Sequence, residues 1–209
     1  MKLIIGAVAL ALLAGNAVAT PVSGTDGMGT PTIAGQTGIV NFDSTALATR
    51  SSLTSGAVTI SGIGGSIRVA NDYPGQYNGR GAAYLDNDQG DTNGFRFDFA
   101  SIVNAFAFNF GASDNVWTLT AFDASGHVLE SVRAPITNGS NAGDYIGLAD
   151  AGIKYATLTT SSSDWVFVDN FVYAAPLVRA SAVPEPGSIA LIGLGIAGVV
   201  AMRRRKGLA

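Results

Sequence analysis

Between residues 94 and 99 the chain reads Gly-Phe-Arg-Phe-Asp-Phe, with an aromatic ring at every second position and a charge between. That spacing puts Phe95, Phe97 and Phe99 on one face of an extended strand and Arg96 and Asp98 on the other. A helix would scatter the three rings around its circumference. Phe106, Phe108 and Phe110 repeat the pattern a short way on, with alanines and Asn109 between them. Two half-buried strands so close in sequence commit this region to a β architecture with an aromatic core.

The rest of the body follows the same rule. Short apolar runs at 39–42, 57–60, 66–70, 116–122, 127–133, 145–148, 153–159 and 165–173 are separated by Gly, Asn, Asp and Ser, and none carries a helical period. Asp123-Ala124-Ser125-Gly126 predicts a tight turn whose glycine accepts a positive φ, joining 116–122 to 127–133 as an antiparallel hairpin. About ten strands and no helix predict an all-β fold, an antiparallel two-sheet sandwich of jelly-roll type. Trp117 and Trp165 lie inside strand patterns and are expected in its core.

Residues 20–36 are rich in Gly, Thr and Pro without periodicity and predict a flexible leader, and 176–182 reads as a linker. One domain, 37–175, remains between them, long enough to bury a real core. Its stability has to come from packing, because the chain has no cysteine. The same absence excludes a thiol nucleophile, a disulfide framework and a lipid-modified cysteine. From 20 to 183 there are 13 Asp and one Glu against six Arg and one Lys, a net charge of −7. So acidic a body excludes nucleic acid as the expected partner, and a bound divalent cation would relieve part of its self-repulsion.

Both ends carry addresses. Lys2, the apolar run 3–14 and Ala17-Val18-Ala19 have the charged, apolar and small-x-small order of a signal peptide over 1–19, with signal peptidase expected to cut after Ala19. The other end has three parts: Pro184-Glu185-Pro186, the uncharged segment 189–202, and the basic cluster Arg203, Arg204, Arg205 and Lys206. As a helix, 189–202 reaches about 21 Å, short of the ~30 Å hydrocarbon core. The transmembrane helix predicted over 188–202 is therefore a marginal anchor, helped by snorkelling arginines. Gly193, Gly195 and Gly198 give it a slim face for a partner helix. The basic tail 203–206 is expected on the cytoplasmic side, leaving Pro184, Glu185 and Pro186 outside the inner membrane as an extended peptide open to a protease.

This order of proline motif, span and basic end over 183–209 resembles the PEP-CTERM signal of bacterial surface proteins, which a membrane protease-transferase of the exosortase family is thought to recognise and cleave. The resemblance implies an exported chain of a Gram-negative bacterium. It would pass through a transient inner-membrane intermediate to the cell surface, the outer membrane or the extracellular matrix, with signal peptidase and an exosortase-like enzyme as partners. A plain C-terminal anchor that is never cut is the alternative.

The body is similar to the β-sandwich of many PEP-CTERM proteins and, more distantly, to lectin-like carbohydrate-binding jelly rolls. The residues that carry this are Ile39-Val40-Asn41-Phe42-Asp43 and Val166-Phe167-Val168-Asp169-Asn170-Phe171-Val172-Tyr173. The resemblance implies that the first and last strands pair, and that a structural calcium is held there by Asp43, Asp169 and Asn170, whose oxygens suit a hard cation. The alternative is that Asp43 and Asp169 cap strand ends or hold loops. A second acidic run, 86–94, invites an EF-hand reading, but no glutamate follows at its twelfth position, so a polar hairpin loop is expected.

Enzymatic chemistry finds little material. The only histidine, His127, follows the turn glycine of the hairpin, an exposed strand position. There is no Gly-x-Ser-x-Gly elbow and no His-Glu-x-x-His helix, and the body has one glutamate, Glu130, to offer a glycosidase pair. A sugar-binding surface is better supplied. Tyr73, Tyr77, Asn78, Arg80 and Tyr84 gather in the loop-rich stretch 72–88, with rings to stack on sugars and polar groups to bind their hydroxyls. Packing of these tyrosines at the sandwich rim is the competing reading. The sequence thus predicts a non-catalytic, exported surface or matrix protein associated with exopolysaccharide or biofilm. A carbohydrate-binding module, with or without calcium, is the second reading, and a polysaccharide hydrolase the third.

Overall fold

The computed structural model describes residues 20–27 and 30–176. The chain divides into two units, Met1–Pro176 and Leu177–Ala209, and the second lies outside the described residues, as do the predicted signal peptide 1–19, the predicted membrane helix and the sorting residues. Among the described residues no helix is long and apolar enough to cross a membrane.

Among the described residues twelve strands follow one another: β1 (Thr20–Thr25), β2 (Gly38–Val40), β3 (Ala48–Arg50), β4 (Ser52–Ser55), β5 (Val58–Gly62), β6 (Ile67–Ala70), β7 (Tyr84–Asp86), β8 (Gly94–Gly111), β9 (Thr118–Phe122), β10 (Val128–Arg133), β11 (Asp144–Thr159) and β12 (Phe167–Ala174). Every pairing is antiparallel. The fold is all-β, as its alternating pattern requires.

The two long strands decide the architecture. Where the sequence predicts two strands, 94–99 and 106–110, β8 is one, because 100–104 contains Ile102 and Val103 and neither Gly nor Pro to break it. Its partner β11 slips register between Ala149 and Tyr155, opposite Val103, and such irregularities bend a strand without ending it. The first half of β8 pairs with β5 and with the end of β11, which continues into β9 and β10. The second half pairs with β12 and with the start of β11. One bent ribbon therefore feeds two layers, β4-β5-β8-β11-β9-β10 and β1-β11-β8-β12-β7-β6-β3.

The inner faces meet ring to ring. Phe97 lies 5.2 Å from Phe108 and from Phe171, and Phe99 lies 5.4 Å from Phe106. Trp117 is fully buried, between Phe95 and Phe110. The two segments that carry the resemblance do pair, β2 with β12, with Val40 opposite Phe171 and Gly38 opposite Tyr173.

The stretch expected to be a free leader differs. Thr20–Thr25 forms β1 on the edge of β11, and Ile33 is buried over Ala105, Ala107, Val172 and Ala174 on the outer side of the second layer. That face is lined by small residues, so a passing segment can close on it. The acidic run 86–94 is a polar connection but not the hairpin loop expected, because β7 pairs with β6 and β12 rather than β8: Asp86, at the end of β7, accepts a bidentate pair from Arg68, Asp91 accepts the Ser66 N–H, and Asn87 donates to Thr92 and Asp164 carbonyls. Asp88–Gly90 makes a single 3-10 turn there.

Candidate functional site

At the end of the second layer, beside the start of β12, lies an open cleft of about 370 Å³. Its walls are the half-buried rings of Tyr73, Tyr77 and Trp165, and its floor is the buried Phe167. Asp114, Asn138 and Asp164 supply the polar groups of its lining. The rings stand on edge to one another: Tyr73 to Tyr77 at 5.5 Å and 85°, Tyr73 to Trp165 at 5.6 Å and 67°, and Tyr77 to Phe167 at 5.5 Å and 89°.

The loops that hold these rings are fixed from below. Tyr77 and Asn78 both have positive φ, 52° and 62°, which non-glycine residues adopt only when their surroundings enforce it. Asn78 supplies the enforcement. Its Nδ2 donates to the Phe110 carbonyl and to Asp144, both at 2.9 Å, and its Oδ1 accepts the Gly143 N–H at 2.9 Å. A Cβ at Gly111 would overlap the Tyr77 carbonyl, so β8 has to end in glycine for the loop to lie down. Ala112 and Asn138, also of positive φ, line the same cleft. Asp164 ties the opposite wall to the core: its carboxylate accepts the N–H groups of Asp114 and Asn115, and Trp117 Nε1–H at 2.8 Å.

The structure thus brings together two of the three tyrosines read as sugar ligands. Tyr84 is elsewhere. It is 1 % exposed and stacks at 4.0 Å on Phe167, so it lies behind the floor of the cleft. Asn78 and Arg80 are buried too and hold loops together. Trp165, expected in the core, is a wall of the cleft, because the strand begins only at Phe167 and the indole sits in the preceding loop. Nothing in the sequence singles out Asp114, Asn138 or Asp164. The Ser161-Ser162-Ser163-Asp164 run ahead of Trp165 is the one local signal of a loop there.

Asp43, Asp169 and Asn170 gather farther along β12. Asn170 takes φ 44° where β12 slips register between Asp169 and Val172, so Phe171 turns into the core while Asp169 stays opposite Asn109. Asp169 accepts the Arg80 N–H at 2.5 Å and the Asn170 N–H at 2.7 Å, and Asp43 accepts the N–H groups of Ala82 and Ala83. Asn170 Nδ2 donates to Asn109, whose own Nδ2 donates to Asp26 in the segment after β1. Burial pushes the Asp169 carboxyl up to about 7; the Arg80 and Asn170 N–H groups and the Arg80 charge oppose the rise, and the nearby Asp43 charge adds to it. Calcium requires six to eight oxygens turned toward one point. Here four backbone N–H groups take up the two carboxylates, and no group of three or more His, Cys, Asp or Glu among the described residues could hold a metal. The donor set does not fit the cage; it fits the reading in which these residues hold strand ends and loops.

Among curated proteins none matches the chain. Solved structures similar to it include TmCBM61 in complex with beta-1,4-galactotriose, at 16% identity and a TM-score of 0.32, over 56% of this chain and 88% of that one. A family 29 carbohydrate-binding module, CBM29-2, complexed with mannohexaose is similar at 10% identity and a TM-score of 0.30, over 74% and 91%. The catalytic domain of a GH87 alpha-1,3-glucanase in complex with nigerose is similar at 19% identity and a TM-score of 0.36, over 77% of this chain and 31% of that one. Residues 182–206 match the family model of the PEP-CTERM protein-sorting motif, so this chain carries the address that implies export and sorting to the cell surface.

Proposed function

We propose that the chain is an exosortase-processed, non-catalytic surface or matrix protein whose sandwich holds exopolysaccharide in the Tyr73–Tyr77–Trp165 cleft. The observation that carries the binding half is the convergence of three half-buried rings and three polar side chains on one open cleft, fixed by loops held in positive φ. Sugars present apolar C–H faces and hydroxyl edges, which such a lining matches. A hydrolytic reading is less well supported. Asp164 is committed to three N–H donors, and His127 stands on the surface hairpin bonded to Asp123.

The test is retention of the full chain on the exopolysaccharide of its own host, with and without a calcium chelator. Trp165→Ala and Tyr73→Ala are each expected to cut retention about tenfold, the loss of ~1.4 kcal/mol of ring contact. Chelation is expected to change nothing. Absence of retention by the unsubstituted chain would leave a sorted sandwich whose partner is protein. The sorting half has its own readout: alanine at Pro184, Glu185 and Pro186 together is expected to leave the tail uncut, visible as a heavier chain retained in the inner membrane. Normal release of that variant would refute the processing.

A further inference from the structure

We infer that the cleft selects an alkylammonium group, so that the glycan it prefers carries free amino sugars. This rests on the reading of the cleft as a ligand site and adds the charge of what enters it.

The ring geometry is the first reason. A neutral sugar stacks on one open ring face, and rings that line up as a flat platform serve it best. Tyr73 instead stands at 85° to Tyr77 and 67° to Trp165, and Trp165 at 75° to Phe167, so the open cleft is lined by rings in several orientations. Several π-faces around one point are what a compact organic cation requires.

Charge is the second. Among the described residues none that lines the cleft is basic, while Asp114 and Asp164 are acidic. Asp164 is 8 % exposed, and all of its partners are N–H groups of uncharged residues or backbone. None of the ion pairs among the described residues includes it or Asp114. The three N–H groups satisfy the Asp164 oxygens without cancelling its charge, so with Asp114 the cleft lining carries two negative charges and no positive one, a field that favours a cation from solution. Arg68, 5.8 Å from the Trp165 ring, does not line the cleft, and its charge is met by Asp72 at 2.7 Å and Asp86 at 2.8 Å.

The same chemistry is offered by the 2-ammonium of a deacetylated hexosamine and by a methylated ammonium such as a choline head group. Calorimetric titration of the full chain with a glucosamine tetramer, its N-acetylated counterpart and tetramethylammonium separates them. The amine tetramer is expected to bind at least tenfold more tightly than the acetylated one. Tetramethylammonium should compete for the site, and salt should weaken both cations. Trp165→Leu should lower affinity about tenfold. Asp114→Asn, at an exposed position, should weaken the amine severalfold and the acetylated sugar markedly less. Equal binding of both tetramers would overturn the inference and leave the glycan reading standing. Binding of tetramethylammonium alone would keep the cation and remove the glycan, and binding of none would overturn both.

Discussion

Phe171→Ala is expected to cost the sandwich about 3–5 kcal/mol, the upper range for truncating a single side chain. The ring lies on the inner face of β12, 5.2 Å from Phe97, 6.1 Å from Phe99, 5.7 Å from Phe106 and 5.6 Å from Phe108, so it touches aromatics of both layers. Removing it opens a cavity that rigid neighbours cannot collapse into, because each of those rings is itself fixed by a strand. Against a total stability of ~5–15 kcal/mol for a domain, this lowers the melting temperature by roughly 10 °C or more. Val128→Ala is the control. Val128 is 60 % exposed on β10, and its loss should fall within about 0.5 kcal/mol. If both variants melted together, Phe171 would not join the layers.

How much of this can be read in advance depends on the range of the interaction. The β9–β10 hairpin is legible, because its turn, its period and its partner lie within a short stretch of chain: Asp123 Oδ1 accepts the N–H groups of Ser125 and His127 and closes the turn locally. The phenylalanine faces of β8 are legible from alternation alone. The continuity of β8 and β11 is not, since a bend through a register slip leaves no break in the composition of either strand. Nor is β1 legible, because an edge strand of Thr, Pro, Ser and Gly bonds through its backbone and buries almost nothing.

The cleft divides in the same way. Tyr73 and Tyr77 are visible as rings in a loop. Their companions Asp114, Asn138 and Trp165 come from three other loops, and only the meeting of β8 and β12 puts them at one end of the layer. Trp165 misleads for a physical reason: an indole next to Val166 and Phe167 has the local composition of a strand, and what separates wall from core is where pairing starts. Tyr84 shows the reverse, a tyrosine of the loop-rich stretch that β7 carries inward.

Stability is expected to fall as pH rises from about 4 to about 7, and Asp169 is expected to be the main single cause. Burial raises its carboxyl from 3.8 to about 7, so the folded chain holds a proton that the unfolded chain has released across that window. Where the native state binds the extra proton, stability decreases with pH. The contribution is complete below about 4 and gone above about 7. A gap of that size corresponds to on the order of 4 kcal/mol at most. Asp26 and Asp86, also raised by burial, act in the same direction and leave a residual slope when Asp169 is replaced. Asp169→Asn keeps the neutral shape but can satisfy only one of the Arg80 and Asn170 N–H groups, so it should be less stable than the parent at pH 5. By pH 8 the deficit should shrink or reverse. Melting curves from pH 4 to 8 in calcium-free buffer would show this as a flatter profile, and parallel profiles for variant and parent would rule Asp169 out. Calcium added at pH 8 provides the last discrimination. With the carboxylates of Asp43 and Asp169 turned to N–H donors it should leave the melting temperature unchanged, whereas a rise abolished by Asp43→Asn would mean that a cation can displace those donors and rebuild the pair around itself.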